Sequence, residues 1–511
     1  MKTAQLNGLI FRDQSISYFF RSNWPRGKVL GGSSVLSYML YSRGNRHDYD
    51  RWSEEGNTGW SFDEVLPYFM KSEDNRNPYI ASNTRYHSTK GYLTVQEPPY
   101  QTPLSTAFIQ AGVEMGYDHL DVNAAKQTGF MLTQSTTRDG ARCSTAKAFL
   151  RPIRNRKNLH ISMDSHVLKI IIDADTKTAT GVKFEREGIL YTVSAGKEVI
   201  LSAGAVNSPQ ILMLSGVGPA DHLKQHGISV LADLRVGDNL QDHVSIPGLV
   251  FQMDKSFSHI DTRFQNLPAL YDYFRNSSGP LTSIGGYEAI AFVNSKYANQ
   301  VDDYPDIQFH FIAKTPVSDG GTSIRINSGI RDDVWDRYYK PLKWFDTWQV
   351  IPILLRPKSV GTIRLAFNNP YASPLIDPKY FSEDQDIKVL IEGIKIALAL
   401  AQTEAIQKLG TRFYDEPFPG CEQYTLWTDS YWECFSRQFT GTNYNPVGTC
   451  KMGPSNDPTA VVDPELRVYG IKQLRVVDGS IIPRIPSGDI NAPIIMIAEK
   501  AVDMIKDTWE K

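Results

Sequence analysis

Residues 198–218, EVILSAGAVNSPQILMLSGVG, carry the reading that decides the fold. Glu198 to Ala203 is predicted as a buried strand, a short apolar run bounded by turn residues. It ends in Ala203-Gly204-Ala205, and Ser208-Pro209 is predicted to open an apolar helix over QILMLSG. Strand, small-residue turn and helix form the unit that presents backbone N–H groups to a phosphate or a dinucleotide. The same pattern also describes a plain βα corner that binds nothing. The local pattern admits both.

Upstream, NLHISMD, VLKIIIDAD, ATGVKFERE, ILYTVSA and KEVILSAG follow one another from 158 to 204 and predict a β-meander feeding that strand. Earlier still, in residues 20–50, Gly27, Gly31 and Gly32 interrupt the chain before the apolar VLSYMLY, which predicts a tight loop entering a helix. Downstream, the spacing of apolar residues predicts an amphipathic helix over 386–408. The aromatic-rich stretch 331–349 reads as core and rim packing. Asn491 is placed as an N-cap with Pro493 in the first turn of a helix running to the C-terminus.

Hydrophobic residues make up 41% of the 511 positions and charged residues 22%, which excludes disorder as the dominant state. With 54 basic and 56 acidic residues the net charge is −2, and no long basic run occurs, so no nucleic-acid partner is expected. No apolar run of about 18 residues is present, so no membrane span is expected. The first twenty residues show neither the apolar core nor the cleavage site of a secretory leader. Cys143, Cys421, Cys434 and Cys450 lack CxxC spacing, so no metal site is expected; Cys421 and Cys434 read equally as a bridged loop or as two free thiols. Asn276-Ser277-Ser278 is a glycosylation sequon. Of ten histidines the last is His310, so the final two-fifths of the chain has none.

Seven motifs then occur in order. They are Gly27-Lys28-Val29-Leu30-Gly31-Gly32-Ser33-Ser34, Ala148-Phe149-Leu150-Arg151-Pro152, the 204–218 segment, and Val236-Gly237-Asp238-Asn239-Leu240-Gln241-Asp242-His243. Gly448-Thr449-Cys450-Lys451-Met452-Gly453-Pro454, Arg475-Val476-Val477-Asp478-Gly479-Ser480 and Asn491-Ala492-Pro493 complete the set. Together they resemble the glucose–methanol–choline (GMC) oxidoreductases, most closely the insect glucose-dehydrogenase-like branch. The resemblance implies an α/β fold: an FAD-binding Rossmann-like domain plus an antiparallel-sheet substrate domain with helices. It implies an FAD-binding region over 1–247, a substrate-domain segment over 248–357, and a C-terminal region over 358–505 that completes the substrate sheet and faces the flavin. It also implies that Val29, Gly31, Gly32, Ser33 and Ser37 lie along FAD, with Val167 on the adenine side. Ala203, Gly204, Asp478 and Gly479 would flank the pyrophosphate and ribityl chain, and the helix at Asn491 and Pro493 would aim at the flavin pyrimidine. The substrate would be a small-molecule alcohol or sugar. Insect relatives of this kind are often secreted.

Four departures from the family pattern shape the functional expectation. The first βαβ unit with GxGxxG is missing, which reads as an incomplete gene model or as loss of FAD binding in a short paralogue. Asn445 stands where the family has its catalytic histidine, and a carboxamide cannot accept the alcohol proton near neutrality. Asp489 stands at the partner position, normally His or Asn; it reads as a replacement base or, preferably, as a site drifting after loss of catalysis. Ser37 replaces the usual Asn or His and weakens one flavin contact. The expected function is FAD-dependent oxidation of a CH–OH group by hydride transfer, impaired at Asn445. The alternative is an inactive paralogue that binds a small molecule or a protein.

Overall fold

The computed structural model describes residues 23–510; the N-terminal stretch read above for a leader lies outside the described residues. Helices α1 (Arg46–Glu54) and α2 (Pro103–Glu114) precede strand β1 (Gly129–Leu132). The meander follows as β2 (Ser165–Asp173), β3 (Thr178–Arg186) and β4 (Ile189–Ser194), then β5 (Val199–Leu201) and α3 (Gly204–Leu214). Beyond these come β6 (Val244–Ser245), β7 (Leu249–Met253), β8 (Tyr287–Val293), β9 (Ile307–Ile312) and β10 (Asp346–Leu354). The chain closes with α4 (Asp384–Leu400), β11 (Arg412–Phe413), α5 (Asp429–Gln438), β12 (Gly441–Thr442), β13 (Leu474–Val476) and α6 (Asn491–Trp509).

Two sheets organise this order. In the first body β5 lies parallel to β13, pairing Val199 with Leu474 and Leu201 with Val476. The second body is an antiparallel sheet in the order β11-β7-β10-β9-β8-β1, with β6 joining β10 to β12. Each body has its own core. Trp52, Trp60, Leu212, Val476 and Met496 pack together in the first, so the two ends of the chain share one interior. In the second, Phe309, Phe311, Trp348 and Val350 meet Leu390 and Ile394 of α4 and Trp432 and Phe435 of α5. Phe251 stacks on Trp348 at 4.3 Å, which fixes β7 against β10.

Several predicted boundaries need correction. Residues 158–164 form no strand: they are exposed and have no strand partner, so an apolar alternation alone did not suffice. VLSYMLY enters no helix; only a short 3₁₀ turn forms at Gly32–Val35, Met39 takes a positive φ, and the next helix is α1. Helix α3 opens at Gly204, not at Ser208-Pro209, so Pro209 falls inside it. The proline removes the N–H that would bond the Ala205 carbonyl. The Thr449 hydroxyl donates to that carbonyl instead, at 2.6 Å. The helix predicted over 386–408 ends at Leu400, where Thr403 Oγ1 donates back to the Leu400 carbonyl and caps the break. In α6 the N-cap is Ile490, with Asn491 the first helical residue. The 331–349 stretch packs as read: Trp335, Tyr338, Tyr339 and Trp348 are buried and Trp344 lies outside. Cys421 and Cys434 form a disulfide, while Cys143 and Cys450 are free and buried. No helix among the described residues is long and apolar enough to cross a membrane.

Candidate active site

The segment 441–447 runs antiparallel beside 241–245, and that pairing builds the centre of the site. The Val447 N–H donates to the Gln241 carbonyl at 2.9 Å, and the Asn443 N–H to the His243 carbonyl at 2.9 Å. The Asn445 N–H donates to Asp242 Oδ1 at 2.8 Å. Its side-chain Nδ2 lies 2.9 Å from His243 Nδ1, and His243 Nε2 lies 3.1 Å from the Leu355 carbonyl. A carbonyl only accepts, so the His243 proton sits on Nε2 and Nδ1 takes the Asn445 amide proton. Burial, partly opposed by Asp489, pulls His243 down to about 4, so this imidazole is neutral. Burial pushes Asp242 the other way, up to about 6, against hydrogen bonds from Thr442, Tyr380 and the Asn445 N–H.

Asp489 reaches the same centre from the loop ahead of α6. That loop is tied down by Ser487, whose N–H and hydroxyl both donate to the buried Asp48, at 2.6 and 2.9 Å. Asp489 Oδ2 receives Gln308 Nε2 at 3.2 Å and His310 Nε2 at 3.3 Å, and Oδ1 receives Asn443 Nδ2 at 3.3 Å. Burial raises the Asp489 carboxyl, but the facing His310 and His243 and the Gln308 hydrogen bond outweigh it and hold it below the usual carboxylate range. The side chain keeps 14% of its surface open, whereas His310 keeps 2%. Gln308 and His310 share one face of β9, opposite Phe309 and Phe311 of the core. Sequence reading missed His243 and His310 because both lie far from 445 and 489 along the chain. The signal was there for His310: in IQFHFI, two polar residues two apart mark one face of a strand as something other than core.

Of the residues assigned to FAD, Gly479 bonds the segment that follows Asn445, and Asn491 and Pro493 follow closely after Asp489. Asp478 Oδ2 accepts from the Gly204 N–H at 2.8 Å and from Ser208 Oγ at 2.5 Å, so it joins the start of α3 to the turn after β13. The Gly448 N–H donates to the Gly479 carbonyl at 3.2 Å. The Ala203 N–H donates to Ser208 Oγ at 3.0 Å. Ser33 Oγ accepts from the Gly27 N–H, and the Ser37 carbonyl accepts from Arg142. Val167 is half-buried beside a bulge of β2, well along the chain from these loops. Four features of this region fit a flavin dinucleotide. Val29 is 44% exposed although apolar, and Gly32 and Gly204, both at positive φ, have open space where a Cβ would stand. Arg26, whose Nε donates to Asn207, has a buried Nη2 with no partner, as suits a cation facing a phosphate. The first turn of α6 has neither an acidic residue nor a side-chain cap, as suits a helix end that faces negative charge.

With that geometry in place, the class follows. Residues 20–245 and 357–498 match the N- and C-terminal family models for GMC oxidoreductase, and the chain belongs to that family of FAD-dependent enzymes acting on CH–OH groups. It is 42% identical to the glucose dehydrogenase [FAD, quinone] of Drosophila melanogaster, over 96% of this chain and 75% of that one. It is 39% identical to the alcohol dehydrogenase [acceptor] of Pseudomonas putida, over 94% and 82%. A solved formate oxidase of Aspergillus oryzae superposes with a TM-score of 0.86 at 26% identity, covering 99% of this chain and 89% of that one.

Proposed function

We propose that this protein oxidises a CH–OH group of a small alcohol or sugar with FAD, at a rate below that of relatives carrying histidine at position 445. FAD, when bound, supplies the acceptor for the hydride. The loops at 27–37, 203–208 and 478–479 and the uncapped first turn of α6 would hold it, and no GxGxxG turn adds to them in these 511 residues. The chain's own chemistry is to orient the hydroxyl, exclude water and receive one proton. The observation that carries the reading is Asn445: its amide is spent on His243, and neither of its side-chain atoms accepts a proton near neutrality.

The test is anaerobic mixing of the FAD-loaded chain with glucose, primary alcohols and choline while flavin absorbance is followed. Bleaching by at least one of these is expected. Asn445→His should speed it, because an imidazole at this position accepts the hydroxyl proton that the carboxamide cannot. No bleaching by any hydroxyl compound would overturn the reading; equal rates in wild type and N445H would overturn the impairment.

A further inference from the structure

With position 445 unable to take a proton, another group must receive it. We propose that His310, on the substrate sheet and held by Asp489, is that acceptor, so that the base has moved from the C-terminal segment to strand β9. The inference rests on the functional reading above and deepens it. Asp489 Oδ2 lies 3.3 Å from His310 Nε2, so the Nε2 proton points at a carboxylate and the ring is fixed in one tautomer. The other nitrogen, Nδ1, is buried and has no hydrogen-bond partner in the protein. An imidazole with one nitrogen on a carboxylate and no protein partner on the other has the arrangement of a general base.

The alternatives nearby are each committed elsewhere. Both ring nitrogens of His243 are used, by Asn445 and by the Leu355 carbonyl. The Asp489 carboxylate takes three donors and stays ionised below the usual range, which makes it a poor acceptor but a good counter-charge for an imidazolium. The titratable groups that face His310 are Asp489 from the loop before α6, His243 beside β6, and Tyr287 of β8, whose ring stands edge-on at 5.5 Å. Tyr38 and Tyr444 stand behind Tyr287. β10 places the apolar Ile351 opposite.

The step balances as an alcohol oxidation. The O–H bond breaks and its proton goes to His310 Nδ1. The C–H bond breaks and its electron pair leaves as hydride, for which FAD, when bound, would be the acceptor, while C=O forms. His310 becomes an imidazolium paired with Asp489, and the proton is later released to solvent.

The test uses the full chain. In the FAD-loaded protein, His310→Gln keeps a donor toward Asp489 but has no base; flavin reduction by alcohol should slow at least 10²-fold and lose the decline toward acid pH expected of the wild type. Adding Asn445→His to that variant should restore both the rate and the pH dependence. Independently of turnover, ¹⁵N-histidine spectra of the chain without FAD should show His310 protonated at Nε2 and not at Nδ1, a preference that Asp489→Asn abolishes. An Nδ1-protonated ring, or wild-type reduction that H310Q leaves intact, would overturn the inference alone. A wild type that no hydroxyl compound reduces would overturn the functional reading and the inference with it.

Discussion

His243 shows how much a single neutral side chain governs here. Its folded-state pKa of about 4 lies below the ordinary histidine value of 6.5 because burial penalises the charged ring. The unfolded chain therefore takes the proton first as pH falls. The stability that His243 contributes is complete above about pH 6.5 and is lost progressively down to about pH 4. We expect urea-unfolding free energies of the wild type to fall through that window. In His243→Gln the slope should be shallower by up to about 1.4 kcal/mol per pH unit, the value for one proton. An unchanged slope would show that His243 titrates in the fold as it does in the unfolded chain. At this scale the sequence was half legible. Asn445 and Asp489 stood out as departures from a motif, but the partners that define their chemistry, His243 and His310, come from residues 202 and 179 positions away. Only the sheet register brings them in.

At the scale of elements, α3 carries the clearest lesson. Its existence and its apolar face were readable, yet its start was not. Pro209 reads as a first-turn proline, and nothing local signals a donor that could replace its missing N–H. The replacement, Thr449 Oγ1, arrives from the Gly448-Thr449-Cys450 motif, 244 residues after Ala205. The same motif is tied to the turn after β13, since the Cys450 N–H donates to the Ser480 carbonyl at 2.8 Å. Thr449 thus fastens the cofactor-side helix to the strand-end turn. Thr449→Val keeps the shape and removes the hydroxyl, leaving the Ala205 carbonyl buried without a donor. It should cost about 1–3 kcal/mol in chemical denaturation, whereas Thr449→Ser should restore most of that. Equal stability of the valine and serine variants would mean that the helix accommodates Pro209 unaided.

Taken whole, the molecule is two cores joined at a site, and the division of legibility follows that plan. The first core was readable because its strands and helices are bounded by glycine-rich motifs. The second was hard to read, since its sheet is assembled from β1 at 129 through β12 at 442, with most pairings far apart along the chain. What the disulfide adds belongs to this scale. Cys434 lies on α5 and Cys421 in the loop before it, 13 residues away, and Cys421 is buried beside Phe418 and Phe435 in the second core. The bond ties that loop to the helix that backs the substrate sheet. Closing a loop of this length restricts the unfolded chain, so Cys421→Ser with Cys434→Ser should lose about 2–4 kcal/mol of stability. Reductant should destabilise the wild type by a similar amount and leave the double variant unchanged. His310 and Asp489 lie on the opposite face of that sheet, so the folded double variant should keep its histidine spectra at moderate temperature while its unfolding midpoint drops. A reductant effect of equal size in both proteins would show that the bond does not carry this stability.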